Sequence, residues 1–365
     1  MTDVAPRRLA LSAAPLRGLR IAVAGAGAFG LCAGLACARS GAEVALYDPA
    51  PLGANASGMA AGMIAPLGEL LYDDLGDELW PLLAAARSAW RPLEAALPGL
   101  VLHRRGCVYG FEDGAAAAAA AARAQHLGVD AALTGGGAAF GTGFDWWLEP
   151  GATLRLLKDA FQAAGGRLVP EALPQNAQAR FDRVLLCPGP GAAALAPLAP
   201  VLARLRPVKG HLLRFQGAFA NAPLDRRPGI YLAPQGGALI AGATMEPGRD
   251  DTALDQAILA ELRGRALAVR PDLAARPWRG AAGVRMATPD RLPLAGPVGD
   301  AKILVAAGAR RNGWLFGPLV AEILLAYLTD GPVSAAGARL APERFGGPAG
   351  HGRGDPGATE GPARA

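Results

Sequence analysis

Residues 19–30 read LRIAVAGAGAFG. The first half is short and apolar, as a strand buried on both faces would be. Gly25, Gly27 and Gly30 then form a G-x-G-x-x-G turn, and helical sequence follows to about Arg39. Glycines spaced this way permit a tight turn, let a pyrophosphate approach bare backbone, and let the following helix pack closely on its strand. Gly41 ends the helix and Glu43–Tyr47 reads as a second strand, giving a β–α–β unit. Asp48 closes that strand 18 residues after Gly30, where a carboxylate can accept hydrogen bonds from ribose hydroxyls. It also opens the sequence DPAP and reads alternatively as a turn or cap residue. With strand, glycines and acid in register, the N-terminal unit is a dinucleotide-binding one.

Farther along, helices are predicted over Leu79–Ala96, over the alanine-rich residues 115–125, over Leu154–Ala164 and over Ala253–Ala268. A strand and turn occupy FDRVLLCPGPG (181–191), and strands cluster at Arg206–Phe215, Ile230–Pro234 and Leu239–Ala243. Lys302–Ala307 is a short apolar run, and 311–328 begins at a polar turn and continues as a helix. No internal repeat is present. From Gly337 onward Gly, Pro and Arg dominate, a composition that predicts disorder.

At 365 residues the chain can bury a large core, and its size suits two domains or one with a large insertion. A composition 52% apolar and 18% charged excludes a disordered protein. The net charge of +5 comes from scattered arginines rather than Lys/Arg runs interleaved with aromatics, so nucleic acid is not an expected partner. Cys32, Cys37, Cys107 and Cys187 form no C-x-x-C pair and the four histidines are dispersed, so no metal site is expected. Apolar neighbours suggest reduced thiols in a cytoplasmic setting. Ile21–Ala38 barely reaches the length of a bilayer span and belongs to the nucleotide unit, so no membrane segment is expected. Residues 1–18 read as an irregular leader, because the apolar segment after Arg7-Arg8 is too short for an export signal.

Residues 55–66, NASGMAAGMIAP, fit neither helix nor strand periodicity. Small side chains beside a nucleotide site imply backbone approach to something flat and bulky. This stretch resembles the flavin-contacting segment of the D-amino-acid-oxidase-like superfamily, in particular its glycine oxidases of thiamine biosynthesis. RPVKGHLLRF (206–215), IYLAPQGGALIAGATMEPG (230–248), GVRMATPDRLPLAGP (283–297) and AAGARRNGWLFGP (306–318) resemble further blocks of that family, in its order.

The resemblance implies an α/β fold: a Rossmann-like FAD-binding domain from residues 19–85, 150–205 and 281–335, and a substrate domain with a mostly antiparallel sheet from 86–149 and 206–280. It places FAD against Gly25, Gly27, Ala28, Phe29 and Gly30, against Asp48 and Pro49 at the ribose, and against Ala56, Ser57, Ala61, Gly62 and Met63. Ala309, Arg310, Arg311, Asn312, Gly313, Trp314 and Leu315 would complete the site around the flavin ring. Arg285 corresponds to the family arginine that holds the substrate carboxylate, although from sequence alone it reads first as a surface arginine paired with Asp290. Tyr231 corresponds to a tyrosine reaching the same carboxylate, or else to a core strand aromatic. Met245 corresponds to a pocket-lining methionine, or to a packed core one. Arg311 corresponds to the arginine before Asn-Gly in the last block and is expected in the catalytic centre.

Three departures are visible. Ala309 and Arg310 replace a usual histidine and aromatic residue, so Arg310 either biases the pocket toward a second carboxylate or points to solvent. Residues 187–191, Cys-Pro-Gly-Pro-Gly, lack the usual aromatic, and the segment between 170 and 182 is short. Gly283 and Met59 stand where relatives carry a flavin-linking cysteine or histidine, so FAD is expected to be noncovalent. The implied activity is oxidation of glycine or a similar small amino acid by FAD and dioxygen, yielding the oxo acid, ammonia and hydrogen peroxide, in thiamine biosynthesis; a homo-oligomer is allowed. Alternatives are a D-amino-acid or sarcosine dehydrogenase or oxidase, an oxidase acting on tRNA wobble uridine, and a noncatalytic flavoprotein subunit.

Overall fold

The computed structural model describes residues 14–73, 75–299 and 301–346. Strand β1 (Arg20–Ala24) is followed by helix α1 (Ala28–Arg39) and strand β2 (Glu43–Tyr47), and β1 pairs with β2 in parallel. Outward from this pair a six-stranded sheet adds Arg167–Val169 beside β2 and Arg183–Leu186 beside β1, then Ile303–Ala307 and Leu294–Val298. Only the last joint is antiparallel. The interior strands are nearly continuous runs of Val, Leu, Ile and Ala, because helices and loops cover both faces.

Helix α2 (Gly313–Leu328) packs along α1. It carries Pro318 in its interior, which has no N–H to give to the carbonyl of Trp314. That carbonyl instead accepts the indole N–H of Trp90 at 2.8 Å. A residue that would weaken an isolated helix here frees an acceptor that fixes a neighbouring one.

The second sheet has nine strands. At its centre β3 (Arg206–Phe215) pairs antiparallel with β6 (Ala238–Gly242), which pairs with β5 (Ile230–Gln235), which pairs with β4 (Leu224–Arg227). On its other side β3 pairs along its full length with β7 (Trp278–Ala287). Cys107–Gly110 joins β4 in parallel, and Ala139–Thr142 and Ala132–Thr134 extend that edge.

Several boundaries differ from expectation. Residues 281–287, grouped above with the nucleotide domain, belong to β7 and hence to the second sheet. Conversely Trp90, Leu97, Leu100 and Leu102 bury themselves in the core around α1 and α2 rather than against the second sheet. The helix foreseen over Leu79–Ala96 divides into Trp80–Ser88 and Trp90–Ala96, because Pro92 cannot donate to the carbonyl of Ser88. Expected disorder from residue 337 is corrected over its described part. Ala335–Leu340 is a helix with Leu340 fully buried, and the Arg344 guanidinium pairs with Asp290 at 2.8 Å and caps the carbonyls of Leu292 and Pro293. Composition hid this because two side chains, not a periodic face, anchor the segment. The expected leader lies outside the described residues up to residue 13; Ala14–Gly18 form a turn with Leu16 buried. The tail from 347 also lies outside them.

All four cysteines are free and buried. Burial pushes the thiols of Cys32 and Cys37 up to about 12, and raises those of Cys107 and Cys187 as well. Among the described residues no helix is long and apolar enough to cross a membrane, and no group of side chains could hold a metal ion.

Candidate active site

A cleft runs from the glycine turn after β1 to the face of the second sheet. Its walls include Gly27, Ala28 and Phe29, most of 56–63, the sheet residues Gly210, Leu212, Tyr231, Gly242 and Arg285, and most of the segment from Ala306 to Trp314.

Two of the glycines are explained by clearance. Gly25 has φ +102°, and a Cβ there would lie 2.2 Å from the Cys187 carbonyl oxygen. A Cβ on Gly30 would lie 1.8 Å from the Gly25 carbonyl oxygen, so only glycine lets α1 approach β1 this closely. Gly27 is the N-cap of α1 and lines the cleft, so the positive end of the helix opens onto it. Asp48 uses one oxygen to accept from the Ala26 N–H at 2.7 Å and the other from the Ala50 N–H at 2.9 Å. The cap and ribose readings of Asp48 are therefore compatible: the turn holds the carboxylate in place, and each oxygen keeps a lone pair for a hydroxyl.

The stretch 55–66 becomes a short helix (Ala56–Met59) and a two-residue strand (Met63–Ile64). Asn55 caps the helix by accepting from the Gly58 N–H, and Ser57 Oγ accepts from the Ala28 N–H at 3.0 Å. The indole of Trp314 donates to the Ser57 carbonyl at 2.9 Å, tying this segment to the start of α2. Gly62 has φ +72°, and a Cβ there would strike the Leu148 carbonyl oxygen at 2.1 Å. Small residues thus bring backbone to the cleft wall on one side while the glycine turn does so on the other. Bare backbone, an acid at the end of β2 and a helix N-terminus suit the adenosine diphosphate of FAD, and the small-residue wall suits its flat ring. Met59 faces Gly283 across the cleft wall, where an added Cβ would be 3.3 Å from its sulfur.

Of the residues expected in the site, all but Gly25, Gly30, Asp48, Pro49, Asn312 and Leu315 line the cleft. Arg285 projects from β7 onto the cleft with Nη1 2.9 Å from the Met245 sulfur. Asp290, the alternative partner read from sequence, belongs to Arg344. A Cβ at Gly210 would overlap Arg285 Nη2 at 2.0 Å, so that glycine on β3 makes room for the guanidinium. Burial, and then Arg310, lower the pKa of Arg285 against the opposing pull of Tyr231 and Glu246; arginine nevertheless stays a cation. Burial raises the pKa of Tyr231 against the opposing fields of Arg285 and Arg226, so its hydroxyl keeps its proton and can donate.

Arg310 and Arg311 are placed differently from one another. Arg311 Nε donates to Glu69 at 3.1 Å and its Nη2 pairs with Asp73. Arg310 lies with Nη2 3.7 Å from Asp73 and takes a φ of +51°. Both line the cleft, but Arg311 is committed to two carboxylates rather than free to meet a substrate.

Glu69 went unrecognised in the sequence, where it reads as an acid in the first turn of the helix Pro66–Tyr72. It is 4% exposed, accepts from Arg311 and from Asn312 at 3.0 Å, and lies 3.6 Å from Arg226. Burial pushes its carboxyl up, but Arg311, Arg226 and Asn312 together outweigh this and hold it below the usual glutamate value. Arg226 and Tyr72, also on the cleft wall, were missed as well. No local signal marks them, because each acquires its meaning from a partner distant in sequence.

The chain resembles known proteins across nearly its whole described length. It is 31% identical over 351 residues to the tRNA 5-methylaminomethyl-2-thiouridine biosynthesis bifunctional protein MnmC of a Caulobacter species, covering 87% of this chain and 56% of that protein. Alignments to two other such bifunctional proteins reach 30% and 28% of their lengths, so this chain spans about half or less of these relatives. It is 31% identical over 349 residues to the ThiO protein of Rhizobium etli, provisionally named for thiamine biosynthesis, covering 86% of this chain and 97% of that one. The crystal structure of glycine oxidase from Geobacillus kaustophilus superposes with a TM-score of 0.76 over 89% of this chain and 99% of that one, at 22% identity. That likeness establishes the fold as D-amino-acid-oxidase-like. Residues 20–328 match the family described as FAD dependent oxidoreductase, and the chain therefore belongs to that family, the DAO group.

Proposed function

We propose that this FAD-dependent oxidoreductase oxidises the carbon–nitrogen bond of a small amino acid, glycine being the simplest. One observation carries the reading: a half-buried guanidinium, Arg285, faces the cleft with a methionine sulfur as its hydrogen-bond acceptor. A guanidinium fork in a desolvated setting is suited to bidentate capture of a carboxylate. The Tyr231 hydroxyl, on the same wall, adds a donor to that carboxylate, and Met245 packs beside it. Fixing the carboxylate at this end orients the substrate's Cα–H toward the ring end of the cleft, and the small-residue wall excludes bulk water from it.

FAD, the family's cofactor, supplies when bound the two-electron acceptor that turns the amine into an imine, which water hydrolyses. The protein's share is orientation and electrostatics. No side-chain general base is required, because the amine can lose its proton to solvent before binding. The N-terminus of α2, at Gly313 and Trp314 on the cleft wall, would offer its partial positive charge to negative charge developing on a bound flavin. Met59 and Gly283 provide no atom for a covalent link, so we infer noncovalent attachment. Dioxygen as acceptor and a place in thiamine biosynthesis are part of the same proposal, supported by the likeness to ThiO and glycine oxidase.

Anaerobic bleaching of the flavin absorbance against glycine, sarcosine, D-alanine and D-proline tests it. At least one amine is expected to bleach the flavin, and readmitted air should restore the colour with release of peroxide. Colour unchanged by every amine would sink the reading; bleaching that air does not reverse would make the protein a dehydrogenase. The likeness to the bifunctional tRNA-modifying proteins supports a second reading, oxidation of an aminomethyl group on uridine. Salt-sensitive binding of tRNA would favour it.

A further inference from the structure

Arg226 projects from β4 directly opposite Tyr231 on β5. It is 4% exposed and lines the same cleft as Arg285. Its Nη1 makes no hydrogen bond to any described residue. Glu69 offers the nearest carboxylate, with Oε1 at 3.6 Å, beyond hydrogen-bond reach and already shared between Arg311 and Asn312. Asp145, whose field also reaches Arg226, is taken up by the Tyr109 hydroxyl and the Leu67 N–H.

The guanidinium is nonetheless seated with care. A Cβ at Gly68 would fall 1.8 Å from Nη1 and 2.3 Å from Cζ, so glycine opens the place it occupies. The Tyr72 ring lies 5.7 Å from Cζ on the cleft side. Nη1 itself is enclosed against Gly68, but a guanidinium so desolvated carries a cost that an anion meeting its cleft side would offset. Arg226, Arg285, Arg310 and Arg311 all reach the cleft; among the described residues Glu69 pairs with Arg226 and Arg311, and Asp73 with Arg310 and Arg311. Glu246, the further carboxylate whose field reaches Arg285, is bound by His211 and Thr244. Arg285 thus faces the cleft with no carboxylate at ion-pair distance among the described residues, and Arg226 faces it with one that lies beyond hydrogen-bond reach.

We propose that Arg226 and Arg285 mark two carboxylate subsites on one face of the second sheet, so that the amino acid oxidised carries a second carboxylate. Tyr231 lies between them, its hydroxyl within the field of both guanidinium groups. The proposal rests on the amine-oxidising reading above and assigns the sequence expectation of a second carboxylate to Arg226 instead of Arg310.

The test uses ligands that cannot be oxidised, so that it reads binding alone. The FAD-loaded full chain is titrated with glutarate and with pentanoate, and with succinate and butanoate, following heat or flavin absorbance. At least one dicarboxylate is expected to bind about 10–100-fold more tightly than its length-matched monocarboxylate, the worth of one charge-assisted contact. In Arg226→Gln the ratio should collapse to within about threefold, and Arg226→Lys should recover part of it. Equal binding within both pairs by the unmodified protein overturns the proposal without any variant, as does a ratio that survives in Arg226→Gln. Failure of every amine to bleach the flavin is a separate result: it removes the amine-oxidising reading, while the ligand ratios still judge the subsite.

Discussion

Arg285 shows what a single side chain can decide. Its backbone lies in a regular strand, yet its half-buried guanidinium meets a thioether where a carboxylate would normally be. If it holds the substrate carboxylate, Arg285→Ala should raise KM by roughly 10–100-fold, from about 1.5–3 kcal/mol for a charge-assisted bond. The purified variant should retain its flavin, since Arg285 sits on the second sheet and not on the nucleotide turn. Steady-state kinetics beside the ratio of flavin to protein absorbance checks both; an unchanged KM would mean the carboxylate is held elsewhere. Arg285 was legible only through its neighbours in family blocks, because an isolated arginine in a strand reads equally well as a surface residue. Glu69 and Arg226 were illegible for a stronger reason. Their charges are tolerable in the interior only as a group with Arg311 and Asn312, and no window of sequence contains that group.

At the scale of elements, the unit β1–α1–β2 could be read directly, since buried strand, glycine spacing and helix follow from local sterics. Gly30→Ala should cost at least about 1–3 kcal/mol from overpacking, because its methyl would meet the Gly25 carbonyl and no side chain can move aside. Gly27→Ala, whose methyl would meet only Ser57 Oγ at 3.1 Å, should fold and weaken FAD binding instead. Thermal unfolding beside FAD titration separates the two; equal stability of the pair would refute the clearance argument. The strands and helices that were foreseen lie within a few residues of expectation, but β7 and the strands at 107–110, 139–142, 167–169, 224–227 and 294–298 were not foreseen. Nor were the break at Ala89 and the anchored segment after Gly337, since each depends on one proline or one ion pair rather than a pattern.

For the molecule as a whole, the network around Glu69 joins the two sheets. It links β4 of the second sheet, through Arg226, to the turn before α2 beside the first, through Arg311 and Asn312. Removing the charge leaves two guanidinium groups without their shared partner, so Glu69→Gln should destabilise by about 3–5 kcal/mol at neutral pH. The folded state holds this carboxyl below its ordinary value. Its contribution is therefore complete above about pH 4.3, the value in the unfolded chain, and is lost as pH falls through the folded value. The gap between native protein and Glu69→Gln in denaturant midpoints should be widest near neutrality and close in acid. A gap that stayed constant with pH would show the carboxylate is not what holds the sheets together.

The sulfur chemistry of the fold has a practical meaning. Four thiols are enclosed, and burial keeps each protonated far above neutral pH, so the native molecule presents no nucleophilic sulfur to an alkylating reagent. Only a chain that has opened can be marked, which makes the cysteines a built-in tally of unfolding events. Cys187 stands apart within that tally, because it also borders the nucleotide end of the cleft.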